Sequence, residues 1–396
     1  MQDPIYFHCD CNSYFASVEE TFHPEYKKVP MAVAGDPANR RGIILAKNEL
    51  AKKYGIKTAE TINSAKQKCP ELLLCPPRRG EYSEFCDRIN AIYESYSDFV
   101  ERFSIDESFL DMTFFRGDEL AIAHKIRERV ARETGITISI GVSWNRTFAK
   151  MGSDYKKPNA VTHITRENYQ QILWPMPVGE LFGVGRKTVQ ELEKFGVKTI
   201  GDLASLSEAY LLKQFGKQGE YLHASANGLD DTPIARTGEH DPAKSIGNGK
   251  TFRRDLTSEQ DIRTGLIVLA DSVAARMRRA GVKCTTVQVT IKDTALKSIT
   301  RQKTVPPTYL AADLLRACLE LFHASWPEGK PIRLLTVTAQ SLLPTDEAAE
   351  QISLFDVPGA SKNTEQLERA VDGIRERYGG GSIRHGSAMG EIFREK

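Results

Sequence analysis

Residues 103–111 read Phe-Ser-Ile-Asp-Glu-Ser-Phe-Leu-Asp, which places two adjacent acids inside an apolar run that predicts a strand over 102–112. Adjacent carboxylates such as Asp106 and Glu107 repel each other and resist burial unless a positive charge compensates them. A divalent metal ion does this well, because hard cations take oxygen ligands. Asp10 ends a second strand-like run, Tyr-Phe-His-Cys-Asp. Three carboxylates on strand ends predict a site for two Mg²⁺ ions and in-line phosphoryl chemistry.

Length and composition limit the class of protein. A chain of 396 residues has room for roughly two to four domains. The sequence contains no uncharged apolar run of ~18 residues, so no membrane span is expected. The N-terminus leads directly into a strand without a signal segment, which predicts a cytoplasmic protein. The seven cysteines are irregularly spaced, so reduced, buried thiols are a better prediction than a zinc site.

Residues 1–165 alternate strand-like and helix-like segments and predict an α/β layer that carries the three acids on its sheet. Asp10 falls at a strand-to-helix turn, because a helix-like segment that opens with Ser, 13–20, follows strand 4–10. The other predicted segments are strands at 31–35, 42–46 and 137–142 and helices at 47–54, 61–68, 81–99 and 117–134.

Residues 166–230 are helical with short loops and contain Leu-Phe-Gly-Val-Gly-Arg-Lys at 181–187. This pattern is typical of a helix–hairpin–helix, in which Gly183 and Gly185 permit a tight turn. The next helix then opens with free N–H groups beside Arg186 and Lys187, and such groups bind a phosphate without reading a base. An ordinary helix–helix turn is the alternative for the glycines alone.

Residues 243–344 form a basic module after a linker-like stretch, 232–243. The module holds sixteen Lys and Arg against eight Asp and Glu, although the whole chain carries a net charge of only +2. This surplus suggests a polyanionic partner, and a solvated charged face is the alternative. The predicted order is strand 245–254, helix 259–280, strand 283–292, strand 296–304, helix 308–323 and strand 332–340, a split βαβ layout.

Many basic residues of this module fall on its strands. We expect them to line one open polar face that follows a nucleic-acid backbone. These residues are Lys250, Arg253, Arg254, Lys292, Lys297, Arg301 and Lys303.

Several separated motifs occur in a specific order along the chain. Asp10 with its helix, Ser-Ile-Asp-Glu at 104–107, Phe-Ala-Lys at 148–150 and Lys-Pro-Asn at 157–159 precede the hairpin and basic modules. Together they resemble the Y-family, or translesion, DNA polymerases, closest to the bacterial polymerase IV group with some UmuC-like character. The resemblance covers nearly all of residues 3–344.

The resemblance implies an α+β, multidomain right-hand polymerase. Its parts would be a palm with a mixed sheet, small fingers, a helical thumb with the helix–hairpin–helix, and a split βαβ little finger. The implied boundaries are palm 1–16 and 78–165, fingers 17–77, thumb 166–231, linker 232–243, little finger 244–344 and C-terminal tail 345–396.

The resemblance also implies the metal ligands. Asp10, Asp106 and Glu107 would hold two Mg²⁺ ions, for which Mn²⁺ is a possible substitute, and the Cys11 carbonyl would be a further ligand. One ion would lower the pKa of the primer 3′-hydroxyl, and the other would hold the triphosphate and the leaving pyrophosphate.

Four further residues, Tyr14, Phe15, Lys52 and Lys157, are implied in nucleotide binding. Phe15 matches the steric gate, a ring that leaves no room for a 2′-hydroxyl, and Tyr14 would help form the sugar pocket. A helix core is the alternative for this pair, and the offset from Asp10 favours the pocket. Lys157 matches a lysine that contacts the triphosphate, although Lys156 beside it is an alternative.

The fingers depart from the family pattern. A Tyr and an Arg three residues apart usually grip the triphosphate, whereas alignment on Lys-Tyr-Gly at 53–55 puts Glu49 and Lys52 in their places. Lys52 still supplies positive charge but not a bidentate fork. Glu49 would face phosphates unfavourably unless Lys47 or a metal offsets it, so altered nucleotide affinity is expected.

Residues 351–355, Gln-Ile-Ser-Leu-Phe, form an isolated apolar pentapeptide in an acidic, polar tail before a predicted helix at 363–377. They resemble the sliding-clamp-binding peptide of bacterial polymerases. Leu354 and Phe355 would fill an apolar pocket of the clamp, and Gln351 would make polar contacts. Packing on the chain's own domain is the alternative, and the tail position favours the clamp.

The resemblance therefore implies a template-directed, low-fidelity DNA polymerase that copies damaged template in DNA repair. Its partners would be primer–template DNA, an incoming deoxynucleotide and the sliding clamp, and the chain would act as a monomer. The altered fingers leave open a DNA-docking or regulatory family member with weak synthesis. A metal-dependent cyclase or nuclease on a related palm is a third alternative, which the hairpin and basic modules disfavour.

Overall fold

The structure is a computed structural model that describes residues 3–35, 42–239, 241–347 and 360–386. The chain divides into two units, Met1–His240 and Asp241–Lys396. The first unit carries the three acids and the hairpin motif, and the second carries the basic module.

The described part of the first unit contains two sheets. The larger sheet has the order β5-β6-β1-β7-β8 and the smaller sheet has the order β3-β2-β4. Both sheets are mixed, because β7–β8 and β2–β4 pair in parallel whereas the other neighbours are antiparallel. The strands are β1 (Tyr6–Cys11), β2 (Met31–Ala34), β3 (Ile44–Lys47), β4 (Leu73–Cys75), β5 (Val100–Arg102), β6 (Glu107–Asp111), β7 (Ile138–Ser143) and β8 (Val161–His163).

Helices cover both faces of the larger sheet. Phe7 and Cys9 of β1 point into a core formed with α4 and α5, and α6 covers the other face. A Cβ added at Gly141 of β7 would lie 1.8 Å from the Ala149 carbonyl oxygen, so glycine lets α6 lie directly on the sheet. The helices are α1 (Tyr14–Phe22), α2 (Glu49–Lys53), α3 (Ile62–Lys68), α4 (Arg79–Glu94), α5 (Glu119–Thr134), α6 (Arg146–Tyr155), α7 (Tyr169–Leu173), α8 (Arg186–Lys194), α9 (Ile200–Ala204), α10 (Glu208–Phe215) and α11 (Lys217–Asn227).

The stretch predicted as one strand over 102–112 is a hairpin. β5 ends at Arg102, residues 103–106 turn, and β6 begins at Glu107. The N–H groups of Phe103 and Ser104 both donate to the Glu107 carbonyl, at 2.9 and 3.1 Å, and close this turn. The prediction of a continuous strand is therefore wrong at its centre, and Asp106 stands in the turn.

The second unit has the predicted strand–helix–strand–strand–helix–strand order. Its sheet is antiparallel throughout with the order β11-β10-β12-β9, so β12 lies between β9 and β10 and the βαβ unit is split. The elements are β9 (Ser245–Leu256), α12 (Glu259–Arg279), β10 (Val282–Asp293), β11 (Ser298–Thr308), α13 (Ala311–Ser325), β12 (Ile332–Pro344) and α14 (Ala360–Tyr378).

Helix α13 begins at Ala311, not at residue 308 as predicted. β11 continues through Pro306 and Pro307, which lie where its pairing with β10 is interrupted between Thr304 and Thr308. An edge strand tolerates proline at such an irregularity, because no ladder hydrogen bond is lost. Thr308 then links strand to helix, since its hydroxyl donates to Asp313 at 2.8 Å and accepts from the Leu310 N–H at 3.1 Å.

The open face of this sheet is polar but carries little charge, which corrects the prediction for Arg254, Arg301 and Lys303. Arg301 and Lys303 pair with Val289 and Val287, whose side chains are in the core, so they share the helix-covered side of the sheet. Arg254 likewise bonds Asp261 of α12. The opposite parity holds Lys292 and otherwise mainly hydroxyl and amide side chains, namely Thr286, Gln288, Thr290, Thr300, Gln302, Thr336, Thr338 and Gln340.

Helix α14 is tied to the second unit by ion pairs. Arg278 of α12, whose side chain is 3% exposed, contacts Glu368 and lies 2.7 Å from Asp372. Arg375 bonds Asp271 at 2.8 Å. The predicted helix at 363–377 is therefore present and longer.

All seven cysteines lie within the described residues, and each is buried and unpaired. None of the helices in the described ranges combines the length and apolar character needed to cross a bilayer.

Candidate active site

Asp10 and Glu107 lie side by side on neighbouring strands. β1 and β6 are antiparallel, and their register pairs Asp10 directly with Glu107. Both side chains point to the α6 side of the sheet, because alternate residues of a strand face opposite sides and Cys9 points to the α4–α5 core. The fold thus joins two carboxylates that are far apart in the chain.

Asp10 is 5% exposed and is bonded to a lysine. Lys157 Nζ lies 2.6 Å from Asp10 Oδ2 and 2.7 Å from Asp154 Oδ1, so one ammonium bridges two carboxylates. Burial, with the neighbouring Glu107, raises the pKa of Asp10 to about 7 despite this lysine. Burial opposes the charge of Lys157 as well, but the two carboxylates outweigh it and raise the pKa of Lys157. Asp10 therefore needs a cation beside it to stay ionised.

Glu107 has a lysine partner of its own. Lys150 Nζ of α6 lies 2.8 Å from Glu107 Oε1. The buried His8 ring has its Nε2 3.8 Å from Glu107 Oε2 and its Nδ1 2.7 Å from Ser153 Oγ. Although burial disfavours the carboxylate, the His8 and Lys150 contacts hold the pKa of Glu107 well below its usual range. Burial lowers the pKa of His8 to about 4, so this ring is neutral near pH 7.

The backbone of Asp106 is hydrogen-bonded to Cys11, the residue after Asp10. Its carbonyl accepts a hydrogen bond from the Cys11 N–H at 2.9 Å, whereas its Oδ1 accepts one from Ser104 Oγ at 2.6 Å. In the stretches of chain that the structure describes, no three His, Cys, Asp or Glu side chains stand close enough to hold a metal ion. The structure thus brings Asp10 and Glu107 together, with Asp106 adjacent in the turn.

The loop after β1 is tied to the Lys-Pro-Asn motif. Asn12 Oδ1 accepts hydrogen bonds from the Asn159 N–H at 2.8 Å and from Thr137 Oγ1 at 3.1 Å. Asn12 Nδ2 donates to Ser139 Oγ at 2.9 Å. Asn12 therefore fixes the segment that carries Lys157 against the segment that carries Asp10.

The two aromatic residues of α1 have different surroundings. Tyr14 is 3% exposed, and its hydroxyl donates to the Tyr82 carbonyl at 2.6 Å, so its ring is part of the core. Phe15 is half-buried and stacks on the Tyr82 ring, with centroids 4.2 Å apart and planes at 11°. One face of the Phe15 ring is thus fixed by stacking.

Glu49 and Lys52 form an ion pair on α2. Lys52 Nζ lies 2.5 Å from Glu49 Oε1, and Ser13 Oγ donates to the same oxygen at 2.9 Å. Glu49 is the first residue of α2, which Asn48 caps by accepting the Ala51 N–H at 3.0 Å. The acid that looked misplaced in the sequence is therefore neutralised by its neighbour.

The hairpin motif forms a tight turn before α8. Gly183 has a φ of 86°, and a Cβ added there would lie 2.8 Å from the Tyr221 ring, so only glycine fits without strain. Gly185 is the N-cap of α8, and a Cβ added there would have no atom within 4 Å. Arg186 and Lys187 follow it and are exposed. The clamp-motif residues Gln351, Leu354 and Phe355 lie outside the described residues.

Three residues at this site had no role assigned from the sequence: His8, Asn12 and Lys150. Lys150 and Asp154 are one helical turn apart on α6, and Lys157 follows the end of that helix. That spacing is a signal for Lys150. His8 shares the strand parity of Asp10, which is a weaker signal.

Three stretches of the chain match known protein families. Residues 9–154 match the impB/mucB/samB family, residues 179–230 match the thumb domain of DNA polymerase-iota, and residues 243–354 match the impB/mucB/samB family C-terminal domain. A DNA polymerase IV of Acetivibrio thermocellus is 43% identical over 386 residues, which cover 96% of each chain. One from Clostridium kluyveri is 36% identical over 394 residues, covering 97% of this chain and 98% of its own.

A solved structure agrees in fold. A Y-family DNA polymerase chimera superposes with a TM-score of 0.74 at 23% identity, covering 86% of this chain and 99% of its own. The chain therefore belongs to the impB/mucB/samB family, the Y-family DNA polymerases. The predicted family, the α+β right-hand fold and the enzyme class, a DNA-directed DNA polymerase of translesion synthesis, are confirmed.

Proposed function

We propose that this Y-family polymerase joins deoxynucleotides to a primer 3′ end at the Asp10–Glu107 pair, with Asp106 as the third acid. The observation that carries the proposal is the register of β1 and β6, which places a buried and a half-buried carboxylate together, each bonded to its own lysine. Packing of the sheet does not require two paired carboxylates, each with its own lysine, and such clusters of charge are typical of functional sites.

The donor set fits two Mg²⁺ ions, since the carboxylates of Asp10, Asp106 and Glu107 and the Cys11 carbonyl are all hard oxygen ligands. Mn²⁺ takes the same donors. When bound, such ions activate the primer 3′-hydroxyl and neutralise the triphosphate in an in-line displacement. The high pKa of Asp10 agrees with this role, because a cation stabilises the charge that burial disfavours.

The chain's own residues bind and orient the nucleotide. Lys157 pairs with Asp10, and its ammonium can move from that carboxylate to bind the β- or γ-phosphate. Lys52 supplies a second positive charge from the fingers. Phe15, supported from behind by Tyr82, excludes a 2′-hydroxyl and selects the deoxy sugar. Tyr14 supports this arrangement from the core and not by direct contact with the sugar.

The DNA would be held through its backbone. The exposed N-terminus of α8 presents N–H groups from Gly185 onward beside Arg186 and Lys187, which suits a phosphate. On the second unit the proposed contacts are Lys250, Arg253, Arg254, Arg301 and Lys303. All five lie on the edge strands β9 and β11, so any contact with DNA would be made from the edges of the sheet and not across its open face.

We also propose three cellular properties. Residues 351–355 bind the sliding clamp, the enzyme acts as a monomer, and it works in the cytoplasm. Seven reduced, buried thiols support the last point, because disulfides are rare in reducing compartments.

Primer extension with Mg²⁺ tests the proposal. The purified chain should add single deoxynucleotides to a primer–template, on both undamaged template and template with an abasic site. Chelation of the metal should stop addition and leave DNA binding intact. Firm DNA binding without extension would overturn the proposal and favour the alternative, a regulatory family member with weak synthesis.

A further inference from the structure

The carboxylate of Glu49 bonds two groups from different parts of the first unit. Its Oε1 accepts from Lys52 Nζ at 2.5 Å and from Ser13 Oγ at 2.9 Å. The first bond spans one helical turn, and such exposed pairs are common and weak. The second bond joins α2 to the loop that follows Asp10, and helix formation alone does not require it.

Ser13 bonds Glu49 and does not cap α1 with its side chain. It occupies the N-cap position of α1, where a serine hydroxyl usually accepts a hydrogen bond from the first helical turn. Here Ser13 has a φ of 50° and its side chain makes no capping bond. Its hydroxyl donates to Glu49 instead, so the Glu49–Lys52 pair is held three residues beyond the proposed metal ligand Asp10.

Two lysines, Lys47 and Lys52, lie close enough to act on the negative charge of Glu49. Lys47 and Lys52 both act electrostatically on Glu49, which lowers its pKa although burial opposes the charge. Lys47 Nζ donates to Thr58 Oγ1 at 2.9 Å and so has a neutral partner. Lys52 is thus the cation whose charge Glu49 cancels, and that charge is the one expected to meet the triphosphate.

We propose that Glu49 is an exchangeable counter-ion, a positioning residue that holds Lys52 beside the α1 loop until the incoming triphosphate replaces it. This inference rests on the proposed function and refines its account of nucleotide binding. A triphosphate carries more negative charge than one carboxylate and offers more acceptor oxygens, so it competes well for the ammonium. The exposure of the pair, 37% for Lys52 and 47% for Glu49, keeps the exchange inexpensive.

The exchange makes Glu49 a competitor of the substrate. Its removal should tighten nucleotide binding with little effect on the chemical step, because Glu49 does not touch the reacting atoms. The effect should disappear without Lys52, since Glu49 acts through that residue.

Single-nucleotide extension kinetics test this with Glu49→Gln, Lys52→Ala and the double variant. Glu49→Gln should lower KM for the nucleotide about threefold, with kcat within about twofold, because exposed pairs are of this strength. Lys52→Ala should raise KM about tenfold, and the double variant should match it. Nucleotide Kd on a primer with a dideoxy end should change in parallel.

Glu133→Gln is the matched control, because it breaks another exposed helical pair, Arg129–Glu133 at 2.9 Å on α5. It should change neither KM nor Kd. An unchanged or higher KM for Glu49→Gln, or a change that persists in the Lys52→Ala background, would overturn the inference while the proposed function stands. A wild-type chain that does not extend primers would refute the proposed function instead.

Discussion

Lys157 Nζ lies 2.6 Å from Asp10 Oδ2, so an ammonium of this chain stands against the carboxylate that we assign to metal binding. The same ammonium lies 2.7 Å from Asp154 Oδ1, so it has a second carboxylate partner. Since Asp10 is buried, this lysine keeps a costly charge compensated before substrate arrives. Lys157 therefore connects metal binding with triphosphate binding.

Replacement of Lys157 by Ala should reduce kcat/KM for the nucleotide about 10- to 100-fold, because a charge-assisted bond to phosphate is lost. Steady-state primer extension measures this. Lys156→Ala is the control, since Lys156 is exposed and adjacent in sequence, and it should stay within about twofold of wild type. Equal losses in both variants would contradict the assignment of Lys157.

Asp106→Asn should lower kcat at least about 1,000-fold while the fold is kept, since a metal ligand supplies several kcal/mol of charge stabilisation. Thermal unfolding should stay close to wild type, because the Asp106 backbone bond to Cys11 is unchanged. Calorimetric Mg²⁺ titration in the presence of nucleotide should show weaker binding. Retained activity would refute the role of Asp106.

Phe15→Ala should admit ribonucleotides, with discrimination against the ribose reduced roughly 100-fold, because the ring that excludes the 2′-hydroxyl is gone. Extension with each nucleotide type separately gives the ratio. Phe15→Tyr keeps the ring that stacks on Tyr82 and should retain the discrimination. Unchanged sugar selection in Phe15→Ala would show that another residue forms the gate.

Gly183→Ala should destabilise the first unit by about 1–3 kcal/mol, because a positive φ disfavours alanine and its Cβ collides with the Tyr221 ring. Gly185→Ala should cost only about 0.5–1 kcal/mol, since its surroundings are open and the cost comes from alanine being a poorer N-cap than glycine. Both should weaken binding of primer–template DNA in fluorescence anisotropy. Normal DNA affinity in both variants would argue against the hairpin as a phosphate contact.

Arg278→Met should destabilise the second unit by about 3–5 kcal/mol, because Glu368 and Asp372 would lose the buried cation between α12 and α14. Arg316→Met removes an exposed pair with Asp313 and should cost no more than about 1 kcal/mol. Chemical denaturation of the full chain measures both. Similar losses in the two variants would mean that α14 contributes little to stability.

The sequence predicted the acid pair, the split βαβ order and the hairpin turn, because each depends on local spacing. It did not predict that residues 103–106 turn. Phe103 and Ile105 are apolar and suggest a strand, yet they are 43% and 36% exposed. Apolar character alone does not distinguish a buried strand from a turn that carries exposed rings.

The sequence also did not show on which face of the sheet Arg301 and Lys303 lie. Their side depends on the register of β11 against β10, and a shift of one residue would move both side chains to the open face. The ion pairs of Lys157 and Lys150 required the tertiary fold for a similar reason, since only the seating of α6 on Gly141 brings Lys150 to Glu107.

The burial of every cysteine has a chemical consequence for an enzyme that copies damaged template. Oxidants and alkylating agents that modify bases also attack thiols, and they do so through the exposed thiolate. Here burial raises the pKa of Cys9, next to Asp10, and raises that of Cys318 to about 12, so these sulfurs stay protonated and out of reach. The thiols of the polymerase are thus protected from the oxidants and alkylating agents that damage the DNA it copies.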